Sequence, residues 1–155
     1  MTSTIPQLKI NLGSGYNRLD DAINIDNRAV VKPDIVCDVT EGLPFYDNTV
    51  DTVLAFDFLE HIPIGRTIGV VEEIHRVLKK GGLFRSVTPS TDGRGAWQDP
   101  THVSFWNCNS FWYYTAKDYR DLYGIKADFE IIGMENKVVG DDPSIIHVFA
   151  DLRKR

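Results

Sequence analysis

The stretch Leu8-Lys9-Ile10-Asn11-Leu12-Gly13-Ser14-Gly15 constrains the fold more than any other part of the chain. A short apolar run that stops at glycines reads as a buried strand, ending in a turn where a ligand can approach main chain. A second apolar run, Ile23-Asn24-Ile25-Asp26, ends on a carboxylate. Two adjacent parallel strands of this kind form the nucleotide-binding end of a doubly wound α/β sheet. Main chain meets one end of a nucleoside and the acid takes its ribose hydroxyls.

Spacing narrows the choice of nucleoside. A dinucleotide fold sets its ribose acid about 20 residues beyond the glycines, whereas Asp26 follows Gly13 by 13 positions. The crossover is therefore read as a loop or a single turn. Arg18 stands where Gly-x-Gly-x-x-Gly requires its last glycine, which disfavours NAD, and no Gly-Lys-Ser/Thr closes a phosphate loop.

A third strand is expected at Pro33-Asp34-Ile35-Val36-Cys37-Asp38, again ending on an acid, and a fourth at Val50-Asp51-Thr52-Val53-Leu54-Ala55-Phe56, placed beside the first. From Arg66 to Lys80, Ile68, Val71, Ile74 and Leu78 recur at helical spacing, and Lys79-Lys80-Gly81-Gly82 reads as the helix C-terminus. Leu83 to Thr88 is a fifth strand, closed by Pro89. Thr115 with Asp118 forms a capping pair for a short helix through Tyr123. Phe129 to Glu135 and Ile145 to Leu152 read as an antiparallel pair around Gly140-Asp141-Asp142-Pro143.

The length of 155 residues fits one domain, 1–155. A net charge of -5 argues against a nucleic-acid partner, since phosphate neutralisation needs a basic face. Cys37 and Cys108 lack any ligand spacing, so no metal site and no disulfide framework are expected. The first residues lack a basic start and an apolar run, and no stretch approaches the ~18 apolar residues of a membrane span. The expectation is a soluble, cytoplasmic protein.

Taken in order, Leu12-Gly13-Ser14-Gly15, Ile25-Asp26, Cys37-Asp38-Val39, Leu43-Pro44-Phe45, Val50-Asp51-Thr52-Val53, Leu59-Glu60-His61-Ile62 and Arg76 to Gly82 resemble the class I S-adenosylmethionine-dependent methyltransferases. The likeness is to small, type 11-like members with a shortened first crossover. It implies a Rossmann-like, mostly parallel seven-stranded sheet of order 3-2-1-4-5-7-6, strand 7 antiparallel, with S-adenosyl-L-methionine as cofactor. It implies that Gly13, Ser14 and Gly15 approach the methionine part and that Asp26 takes the ribose. Asp38 beside the Val39 main chain would take the adenine amine, and Phe56 would contribute main chain near the methionine. Two positions depart from the family: Asn11 stands where members often carry an acid, and Asn17 where they often carry a third glycine.

The region from Ser90 to Tyr114 has no period and holds all three tryptophans. Long aperiodic loops in compact domains are usually functional. Gln98-Asp99-Pro100-Thr101-His102 sits among its aromatics, so Trp97, Asp99 and Trp106 are the candidate substrate residues. Some of Phe111, Trp112, Tyr113 and Tyr114 are expected only to plug the sheet edge. Transfer of a sulfonium methyl needs alignment more than a base. For a hydroxyl acceptor, Asp57, His61 or His102 is the candidate base. The expectation is a methyltransferase acting on a small or medium-sized acceptor. The alternative is a cofactor-binding module without its own catalysis, or a subunit of a larger enzyme.

Overall fold

The computed structural model describes residues 6–155. One sheet of seven strands runs β3-β2-β1-β4-β5-β7-β6. Its strands are β1 (Lys9–Leu12), β2 (Ile23–Asp26), β3 (Ile35–Val36), β4 (Val50–Phe56), β5 (Leu78–Pro89), β6 (Phe129–Val138) and β7 (Ile146–Lys154). β1 to β5 pair in parallel and β7 runs antiparallel to both β5 and β6. The expected order and fold class hold in full.

Three α-helices follow β4: α1 (Thr67–Val77), α2 (Gly95–Gln98) and α3 (Lys117–Tyr123). Before β4 the described connections contain only 3-10 turns, so the first crossover is the short loop its length implied. That loop is fixed by a polar network. Asn11 Nδ2 donates to the Asn17 carbonyl (3.1 Å) and to Asn24 Oδ1 (3.0 Å), and Asn24 also binds both backbone groups of Leu19. The two departures from the family pattern thus touch each other. An acid at position 11 could not donate to that carbonyl.

Helix α1 buries Val70, Val71, Ile74 and Val77 against the sheet. It ends three residues before the expected Lys80, and the reason is tertiary. Leu78 is already extended and pairs with Val50, while Lys79 reaches Asp51 at 2.8 Å. The last helical carbonyls find partners elsewhere: Asn48 N and Thr49 N donate to Arg76 and Val77, and Lys154 Nζ donates to His75. Gly81, at φ +79, serves the irregularity in β5 rather than a helix cap. Ile68, expected on the buried face, is exposed. The third strand shrinks to Ile35–Val36. At α3 the expected Thr115–Asp118 cap is not made, because Thr115 Oγ1 donates back to the Phe111 carbonyl.

Candidate functional site

Three strand ends and the start of the loop after β4 meet in a cavity of about 360 Å³, within the range of small-molecule sites. Gly13, Asp26, Cys37, Asp38, Val39, Asp57, Phe58, His61, Ile62 and Thr101 contribute to its wall.

Gly13 stands at φ +60 with the Phe58 ring against it, and a Cβ there would meet Phe58 Cδ2 at 2.3 Å. Only glycine fits that turn and leaves its backbone bare toward the cavity. Gly15, also at positive φ, donates its N–H to Asp26 Oδ2 at 2.9 Å. Ser14 does not reach the cavity. Its hydroxyl is buried without a partner.

Asp26 is 5% exposed and its carboxylate is already engaged, with Oδ1 accepting from Arg28 N (2.9 Å) and Nε (3.2 Å). Burial pushes this carboxyl up, but the hydrogen bonds from Arg28 N, Gly15 N and the guanidinium together hold it below the usual range. A carboxylate offers about four lone-pair sites. Three are used, so a vicinal diol needs one Arg28 bond to be released. The Arg28 side chain is 60% exposed and free to swing away. Asp38 Oδ1 caps the next turn through Thr40 N and Oγ1, leaving Oδ2 at the cavity. A bare glycine backbone, a charged acid at the second strand end and a free acceptor at the third suit a methionine, a ribose and an adenine amine in turn.

Asp57 has φ +48, an uncommon conformation for a non-glycine residue, and its N–H is held by the Val87 carbonyl. The turn aims its carboxylate over the cavity and 3.2 Å from His147 Nε2. His147, on β7, was missed from sequence. A single histidine in a strand carries no local signal, and the pairing exists only once β7 lies against β5. The Phe56 side chain lines a separate groove with Arg85, Val87 and Phe149, so only its main chain could serve the cavity. The two residues after it, Asp57 and Phe58, border the cavity.

His61 stands at the cavity rim, with Nδ1 3.1 Å from the Thr101 carbonyl. His102 lies behind it, ring centroids 5.2 Å apart, its side chain 7% exposed. His102 therefore does not itself face the cavity. Glu60, next to His61, is 2% exposed, and burial pushes its carboxyl up. Asp99 is a self-bonded turn to Thr101 N and Oγ1, and those bonds hold its carboxyl low.

Of the tryptophans, Trp97 is exposed and stacked on Phe105 (4.6 Å). Trp106 is core, its indole N–H given to Ser104 Oγ, and it packs with Phe111 and Tyr114. Neither borders the polar cavity. Trp106 instead walls a second, apolar cavity of about 620 Å³, with Ile64, Ile68, Phe105, Tyr113 and Tyr123. Phe111 and Tyr114, expected to plug the sheet edge, are buried in the core itself.

A methyltransferase-domain family model matches residues 15–85. Solved structures with the same fold include a SAM-dependent methyltransferase of Archaeoglobus fulgidus, with TM-score 0.70, 13% identity, and 96% of this chain and 86% of that one covered. Another is a SAM-dependent methyltransferase of Methanosarcina mazei (TM-score 0.68, 15% identity, 97% and 93% covered). A third is the Burkholderia thailandensis 1,6-didemethyltoxoflavin-N1-methyltransferase with bound S-adenosylhomocysteine (0.63, 16%, 96% and 71%). An uncharacterised protein of Methanocaldococcus jannaschii is 34% identical over 84 residues, which are 53% of this chain but only 36% of that relative. The chain has the fold of these SAM-dependent methyltransferases, and a methyltransferase-domain model matches part of it, residues 15–85.

Proposed function

We propose that this chain, acting as a single domain, transfers a methyl group from S-adenosyl-L-methionine to a small or medium-sized acceptor. The observation that carries the reading is the meeting of Gly13, Asp26 and Asp38, from three successive strand ends, around one cavity. Gly13 would lie along the methionine, Asp26 would take the ribose hydroxyls as Arg28 withdraws, and Asp38 with the Val39 main chain would hold the adenine. The bound cofactor supplies an electrophilic sulfonium methyl.

The remaining work belongs to the chain. Phe58 and Ile62 exclude water from the cavity wall. Asp57 faces the cavity and is the group that takes a proton when the acceptor is a hydroxyl, with His61 beside it at the rim. His147 holds Asp57. His102 acts from behind His61 as a positioning residue, while Trp97 and Asp99 line the approach for the acceptor. Cys37 and Cys108 are both free thiols, which fits a reducing, cytoplasmic setting; no described helix is long and apolar enough to cross a membrane.

Titration with S-adenosylhomocysteine tests the pocket. Asp26→Ala is expected to weaken binding by ~1–3 kcal/mol, the loss of a charge-assisted hydrogen bond. Unchanged affinity would remove Asp26 from the site. An acceptor screen on the wild type follows, and turnover with no acceptor would leave a binding module.

A further inference from the structure

Glu60, His61 and His102 form a cluster that holding the cofactor does not require. A carboxylate oxygen and one ring nitrogen from each histidine all lie within 4.8 Å of one another. We propose that these three residues bind a divalent transition-metal ion at the rim of the cofactor cavity.

The hydrogen bonding around the two rings carries the argument. His61 Nδ1 faces the Thr101 carbonyl at 3.1 Å, and His102 Nδ1 faces the Ala96 carbonyl at 3.1 Å. A carbonyl can only accept, so each Nδ1 carries the proton. In the neutral rings both Nε2 atoms are left with a free lone pair. Metal-binding histidines are oriented in this way, the second nitrogen anchored by a carbonyl or carboxylate.

Glu60 supplies the independent sign. Its Oε2 accepts from Thr88 Oγ1 at 2.7 Å, but its Oε1 is buried and has no partner. The nearest positive candidate, His61 Nε2, is 4.0 Å away, beyond hydrogen-bonding reach. A buried acceptor without a partner is costly, because the water it gives up on folding is not replaced. A cation between Glu60 and the two free Nε2 lone pairs would satisfy all three groups.

The frame is already rigid. The Glu60 carbonyl accepts from both Val103 N (2.8 Å) and Ser104 N (3.1 Å), and Ser104 Oγ donates to the Leu59 carbonyl. These bonds hold His102 against the Glu60 segment. Metal–ligand bonds of about 2.0–2.2 Å in a tetrahedral site bring ligand atoms to roughly 3.3–3.6 Å from one another. The contraction required falls to His61, whose side chain is 41% exposed and can turn inward. Asp99 Oδ2, 3.6 Å from His102 Nε2, adds negative charge beside the site. Two imidazoles and one carboxylate suit zinc, manganese, iron or cobalt. Magnesium and calcium prefer all-oxygen shells. No ligand spacing marks the site in sequence, because His102 is 41 positions from His61.

The test is calorimetric titration of metal-free protein with Zn²⁺, and visible spectroscopy with Co²⁺, both without cofactor. One ion per chain is expected, with bands showing nitrogen ligation and no competition from Mg²⁺. Each of His61→Ala, His102→Ala and Glu60→Gln should weaken Zn²⁺ by about tenfold or more, while His75→Ala, away from the cluster, should not. If His102→Ala fails to fold, His61→Ala at the surface and the isosteric Glu60→Gln decide. S-adenosylhomocysteine affinity in the same variants reports whether the cavity is intact, so a failed cofactor site is not mistaken for a failed metal site. Absence of Zn²⁺ and Co²⁺ binding in the wild type, or binding undiminished in His61→Ala and Glu60→Gln, overturns the proposal.

Discussion

Across the sheet from β4 through β5 to β7, the row Val53, Phe84 and Leu152 is sealed from solvent, each residue at 0% exposure. One step along the same strands lies the row Leu54, Arg85, Asp151 and Gly133, followed by Phe56, Val87, Phe149 and Glu135. There Phe56 is 40% exposed, Arg85 and Asp151 pair at 3.1 Å in the open, and Lys137 lies over the Phe149 ring. The first face is covered by α1 and the aromatic segment. The second is a shallow groove lined by strand residues alone. The same strands thus support a dry core on one side and a charge-laced surface on the other, and the alternation of side chains along a strand makes this possible. Core energy and the cofactor end are therefore separable, because the Gly13 and Asp26 turns sit at the strand tips and on neither face.

The sharpest test of that contrast is a pair of phenylalanines. Phe84→Ala, on the sealed face, is expected to destabilise by ~3–5 kcal/mol through lost transfer energy and a residual cavity. Phe149→Ala, on the open face, removes a partly buried ring and is expected to lose only about 1 kcal/mol. Urea unfolding of both variants measures the difference. Equal losses would mean that the groove is covered in solution and that the two faces are alike.

How much of this was legible in the sequence follows from which signals are local. Strand order and the glycine and aspartate endings were legible, because short apolar runs and their terminators are local. Phe129 to Glu135 and Ile145 to Leu152 were likewise legible as an antiparallel pair, because the Gly140-Asp141-Asp142-Pro143 turn between them is local. The end of α1 was not legible. Leu78 fits both a helical stripe and a strand, and its pairing with Val50 decides the matter. Nor were Asp57 with His147, or His61 with His102, since each pair joins residues more than 35 positions apart.

A second test concerns the region where the open face is covered by the crossover loop instead of a helix. Asn24 accepts from Asn11 and Leu19 N, and donates to Leu19 O and to Asp34 Oδ2. Asn24→Ala would leave one Asn11 amide hydrogen and both Leu19 backbone groups without their partner, an expected loss of ~1–3 kcal/mol. Because β2 carries Asp26, S-adenosylhomocysteine affinity should fall with it. A stable variant with unaltered affinity would show that the loop is held by packing alone and that the polar network is incidental.

The smallest effect is expected on the open face itself. The Arg85 and Asp151 side chains are 52% and 41% exposed, so water screens the pair and ordering two long side chains offsets much of the attraction. Arg85→Ala should lose no more than about 1 kcal/mol in low salt, and the difference from wild type should shrink as salt rises. A double-mutant cycle with Asp151→Ala isolates the pair from the packing of the Arg85 stem against its neighbours. A coupling that stays large in high salt would place the pair in a dry environment. The second face would then be shielded by something other than its own strands.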